Sequence, residues 1–113
     1  NDLVRPTLYD AYHEIRPVNE RPAGAEQEKV DVVGPVCESG DYLARDRNLP
    51  VAQPDELLAV FSAGAYGAVQ AGTYNSRLLV PEVLVDGDRW AVVRPRPSYD
   101  DLISLDHLPD WLI

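Results

Sequence analysis

The stretch from Pro81 to Arg94 constrains the fold of this chain more than any other, because its residues admit one local structure. Val83, Leu84 and Val85 make one arm, Asp86-Gly87-Asp88 a turn, and Trp90 to Val93 a second arm, which predicts a β-hairpin. Arg94-Pro95-Arg96-Pro97 ends it, since proline has no N–H to give to a ladder. Ser98, with Asp101 three residues on, predicts a capping box that opens a short helix through Leu102, Ile103 and Leu105. The tail carrying Trp111 is expected to dock by its apolar groups.

The remaining apolar runs are also of strand length. Ala11, His13 and Ile15 alternate with Tyr12 and Glu14, Val30 to Val36 is β-branched, and Leu57 to Phe61 is continuously apolar. Val30 to Val36 is expected as a buried strand, continued weakly after a loop by Tyr42-Leu43-Ala44. The segments Arg16 to Lys29 and Arg45 to Glu56, rich in proline and charge, are expected as surface connections. The 113 residues suffice for one domain with a core of its own, and no apolar run approaches the roughly 20 residues of a membrane span.

A net charge of −9 argues against nucleic acid or an anionic membrane surface as partner, because phosphate contacts need clustered Lys and Arg. A single cysteine excludes an internal disulfide framework, and no secretory leader opens the sequence, so a reducing cytoplasm is the expected compartment. The chain begins at Asn1 and contains no Met, as expected of a processed or excised piece. Lys29 is the one lysine, hence the one side chain here able to form a Schiff base.

Chemistry concentrates in Gly34-Pro35-Val36-Cys37-Glu38-Ser39-Gly40-Asp41, where Gly and Pro turn a strand end into an exposed loop. Cys37 has two carboxylates, Glu38 and Asp41, within four residues. Negative neighbours disfavour the thiolate, and the reference thiol pKa is already about 8.5, so the group suits a proton donor better than a nucleophile. The competing reading is a small buried apolar residue. Arg5 and Tyr9, four apart, share one face of a helical turn and make either a carboxylate clamp or an exposed stacked pair. His13 reads as a strand residue with locally satisfied ring nitrogens, since no second His or Cys stands at metal-binding spacing, and no metal site is expected. Tyr66, between Gly64 and Gly67, is either a ligand-facing aromatic or a packing one. The two glycines make no phosphate cradle, because no GK[ST] follows.

The segments RPTLYDAYHEI, VVGPVCESGDYLARDRNLP, LLAVFSAGAYG, YNSR and PEVLVDGD, in this order, resemble the C-terminal part of the diaminopimelate decarboxylase family, pyridoxal-phosphate enzymes of the alanine racemase type (fold type III). The resemblance implies a mainly β fold, a Greek-key-like, partly open β-barrel or sandwich with one or two short helices. Residues 1–113 would form the single C-terminal domain of a larger two-domain enzyme. The N-terminal (β/α)8 barrel, absent from this chain, would carry the lysine that binds pyridoxal 5'-phosphate.

By the same resemblance Cys37 is the proton donor that acts after carbon dioxide leaves, and Glu38 recognises the distal, amino-bearing end of the substrate. Arg5 and Tyr9 bind a substrate carboxylate, and Tyr66 contacts both cofactor and substrate. The implied assembly is a homodimer with active sites at the interface. The implied reaction is decarboxylation of meso-2,6-diaminopimelate to L-lysine, with this piece inactive alone. An ornithine- or arginine-type decarboxylase and a non-catalytic β-barrel interaction module are the alternatives. Glu38 favours diaminopimelate, because relatives acting on ornithine and arginine usually carry Asp after the Cys.

Overall fold

The structure, a computed structural model, describes residues 6, 10–65 and 67–112. It divides into two compact units, essentially residues 3–71 and 72–113. Both are built mainly from strands with a few short helical turns, and among the described residues the strands pair as three two-stranded antiparallel ladders.

In the first unit, strand β1 (Ile15–Pro17) pairs with strand β4 (Leu58–Val60), placing Ile15 opposite Val60. The pairing continues past both ends, with the Phe61 N–H donating to the Glu14 carbonyl and the Val18 N–H to the Leu57 carbonyl, each at 2.8 Å. The second ladder joins strand β2 (Gln27–Val33) to strand β3 (Tyr42–Pro50). Both strands extend into segments expected as connections: β2 begins three residues before the β-branched run, and β3 runs through Arg45 to Pro50.

The cause is a pair of bulges. Asp31 on β2 faces both Arg45 and Asp46, because Val30 pairs with Arg47 and Val32 with Ala44; Leu43 is a second extra residue, since Val33 pairs with Tyr42. Each extra residue reverses which face the following side chains occupy, so the period-two signal of a strand is erased. At the first bulge Asp46 takes φ +53°, and its N–H donates to the Asp31 carboxylate at 2.9 Å.

β1 lies against β3. Ile15 on β1 and Ala44 on β3, 5% and 1% exposed, are the buried hydrophobic residues among those described, proline and glycine aside. That core is smaller than the length of the chain predicts, and many large apolar groups stay in solvent.

The second unit carries the hairpin. Strand β5 (Glu82–Asp86) and strand β6 (Arg89–Arg94) flank a two-residue loop, and Gly87 alone of the two takes positive φ, +63°, as a type II′ turn needs at its first central position. Val83, Leu84, Val85, Trp90, Val92 and Val93 remain 48–71% exposed, and apolar groups occupy both faces, the composition of strands covered on two sides.

Helix α1 (Tyr99–Ile103) follows Ser98, whose hydroxyl accepts the Asp101 N–H at 3.0 Å while the Ser98 N–H donates to the Asp101 carboxylate at 2.8 Å. The Ser98 N–H, then its hydroxyl, hold the Asp101 carboxyl below its ordinary range. The capping box stands as the sequence predicted, and the helix it opens ends at Ile103, two residues before the expected Leu105. Trp111, expected to dock, is instead 81% exposed. No helix among the described residues is long and apolar enough to cross a membrane.

Candidate functional site

The β2–β3 hairpin ends in the loop that carries Cys37 and Glu38. The Gly34 N–H donates to the Asp41 carbonyl at 2.8 Å and closes the ladder; beyond it the chain makes two tight internal bonds. The Glu38 N–H donates to the Val36 carbonyl at 2.8 Å, and the Asp41 N–H to the Glu38 carbonyl at 3.0 Å. A further bond comes from a side chain, the Asp41 carboxylate accepting the Val36 N–H at 2.7 Å. Asp41 is therefore turned into the loop and only 7% exposed, rather than standing as a second solvated acid beside the thiol. Cys37 is exposed and in no disulfide, which removes the buried-apolar reading of this residue within the chain. Glu38, adjacent to it, is half-buried.

The segment leading away from Arg5 and Tyr9 is tied to this hairpin from the far end of β3. The Arg47 guanidinium stacks 3.9 Å from the centre of the Tyr12 ring and donates to the His13 carbonyl at 3.1 Å. His13 in turn places Nδ1 3.1 Å from the carbonyl of Phe61, a partner 48 residues away and not a local one, and it precedes β1 instead of lying in a strand. Phe61 leads into the Ser62–Gly67 segment, whose return is fixed by the Ala68 N–H bonding the Ala63 carbonyl at 2.7 Å, with Gly67 buried. Among the described residues, the chain flanking each motif is thus tied to one of the two ladders of the first unit. The sequence reading missed Arg47, because an arginine inside a charged run carries no local mark of such a role. Arg5, Tyr9 and Tyr66 themselves lie outside the described residues.

Lys29, expected in a variable loop, sits on β2 and pairs with Asp46 at 2.9 Å. The hydrogen bond to Asp46 raises its pKa, and the same bond lowers that of Asp46. An exposed amine held more firmly as ammonium is a poor Schiff-base nucleophile, since that chemistry needs a desolvated, deprotonated lysine.

The model of the pyridoxal-dependent decarboxylase C-terminal sheet domain matches residues 1–64. The chain belongs to this family. Among relatives of this sheet domain, the diaminopimelate decarboxylase of Archaeoglobus fulgidus is 52% identical over 113 residues, covering 100% of this chain and 27% of that protein. That of Zymomonas mobilis is 52% identical over 112 residues, covering 99% and 26%. A solved diaminopimelate decarboxylase from M. jannaschii, in co-complex with L-lysine, superposes with a TM-score of 0.87 at 38% identity, over 99% of this chain and 25% of that one. The chain spans about a quarter of the length of the relatives it matches.

Proposed function

We propose that residues 1–113 form the C-terminal domain of a diaminopimelate decarboxylase, a pyridoxal-phosphate-dependent carboxy-lyase that converts meso-2,6-diaminopimelate to L-lysine and carbon dioxide. The observation that carries this reading is identity of 52% to proteins of that name across the whole chain, far beyond the motif residues. In the whole enzyme a (β/α)8 barrel precedes this domain, and the three ladders join a partly open Greek-key barrel or sandwich. The exposed apolar hairpin is consistent with such completion. The enzyme acts as a homodimer in the cytoplasm, and the 113-residue piece alone is inactive.

When bound, pyridoxal 5'-phosphate supplies the electron sink that lets carbon dioxide leave. The lysine and phosphate loops that hold it belong to the barrel, and Tyr66 is this domain's contact with it. Cys37 Sγ delivers a proton to the substrate carbon from one face, from the tip of a loop that leaves the thiol uncovered. Glu38 accepts the distal ammonium. Arg5 and Tyr9 take a substrate carboxylate by charge-assisted hydrogen bonds. Diaminopimelate carries both an ammonium and a carboxylate at its far end, whereas ornithine carries only the ammonium, so a Glu38 and Arg5 pair suits the former.

The full-length protein assayed for carbon dioxide release is expected to prefer meso-diaminopimelate over ornithine and arginine. A preference for ornithine or arginine assigns the domain to a decarboxylase of another basic amino acid. Release from none of them by cofactor-loaded protein leaves a non-catalytic module.

A further inference from the structure

Asp41 is not among the residues assigned a role above, yet it is the one buried charged side chain among those described, and it lies four residues from the thiol. Resting on the decarboxylase reading, we infer that Asp41 is a positioning residue that fixes the loop presenting Cys37 and Glu38, with Gly34 as its obligatory counterpart.

The loop between Gly34 and Asp41 contains no regular structure, so its shape depends on a few hydrogen bonds. Asp41 takes part in three of them: its carbonyl accepts Gly34 N–H, its N–H donates to Glu38, and its carboxylate accepts Val36 N–H at 2.7 Å. The last reaches the residue immediately before Cys37. Removing that carboxylate leaves a partly buried N–H without its acceptor, which favours a rearranged loop.

Gly34 supplies an independent sign of the same arrangement. A Cβ built there would stand 2.2 Å from Asp41 Oδ1, 2.3 Å from Oδ2 and 2.4 Å from Cγ. The backbone at Gly34 has no positive φ, so glycine is required by the space the carboxylate fills and not by conformation. Glycine at one end of the loop and aspartate at the other are two halves of one lock. The two functional side chains ride on the segment it closes, one for the proton and one for the distal charge.

The test uses the full-length, cofactor-loaded enzyme with Asp41→Ala, Gly34→Ala and the double variant, with retained pyridoxal absorbance and a wild-type cooperative thermal unfolding transition showing that each is folded. Asp41→Ala is expected to lower kcat by about tenfold to a hundredfold, the size of effect that misplacing a reacting group produces. It is also expected to change the rate of Cys37 alkylation by iodoacetamide by roughly threefold or more, a readout independent of turnover. Gly34→Ala should do the same although it removes no functional group. The double variant should be no worse than the worse single one, because each substitution breaks the same lock.

Wild-type kcat and alkylation in Asp41→Ala, or losses that multiply in the double variant, overturn the inference. Where Asp41→Ala does not fold, Asp41→Asn, which keeps an oxygen acceptor for Val36 N–H, is expected to retain kcat within about threefold, and a loss as severe as that of Gly34→Ala overturns it equally. Failure of the underlying reading is separable: Cys37→Ala with normal turnover removes the thiol's catalytic role, while alkylation of the wild-type thiol still reports what Asp41 does to the loop.

Discussion

Replacing Cys37 by alanine in the full-length enzyme is expected to lower kcat by about a hundredfold to ten-thousandfold, the span that a positioned general acid contributes. Cofactor absorbance should be unchanged, since on the proposed reading the lysine and phosphate loops that hold the cofactor belong to the barrel. The thiol is uncovered at the tip of a hairpin loop, where no other described side chain of the loop carries a transferable proton except Glu38 and the Ser39 hydroxyl. Glu38 is assigned to the distal ammonium and a serine hydroxyl is a far weaker acid, so neither replaces the thiol. Steady-state kinetics with meso-diaminopimelate, beside a spectrum of each variant, provides the check. Turnover within a few-fold of wild type sinks the proton-donor role.

Glu38→Gln should act differently. A hydrogen bond to a charged group is worth about 1.5–3 kcal/mol, so loss of the carboxylate should cut kcat/KM for meso-diaminopimelate by about ten- to a hundredfold. Part of this will fall on kcat, because binding energy from the remote end of a substrate also orients the reacting end. The Cys37 alkylation rate should not fall, since the charge removed is one that disfavours the thiolate and the backbone bonds of Glu38, from its N–H to Val36 and from Asp41 to its carbonyl, do not involve the side chain. Unaltered kcat/KM, measured with the same substrate, removes Glu38 from substrate recognition.

Much of this was legible in the sequence where local chemistry and long-range packing agree. The β5–β6 hairpin has two apolar arms joined by a glycine that alone tolerates the turn's positive φ, and the Ser98–Asp101 box is specified within four residues. The position of the Cys37 loop followed from the Gly34-Pro35 boundary. What escaped was written across distance. β3 was hidden because two bulges scramble its alternation and because Arg45, Asp46 and Arg47 look like a solvated connection, although Arg47 spans to Tyr12 and His13. Asp41 was legible as an acid but not as a buried one; the available signal was a glycine and an aspartate closing the two ends of one loop. The extent of the core was misjudged for a similar reason, since apolar count says how much surface wants cover and not what covers it.

We propose that the Cys37 loop completes the partner subunit's active site in a symmetric dimer, with the cofactor-binding lysine supplied from outside these 113 residues. The most direct measurement mixes two full-length proteins, one carrying Cys37→Ala and the other lacking the cofactor-binding lysine, with subunit exchange followed by mass. Each is expected to be nearly inactive alone, and carbon dioxide release from meso-diaminopimelate is expected to return once heterodimers form, because one interface then holds both an intact thiol and an intact lysine. Heterodimers that form and stay inactive contradict the shared site.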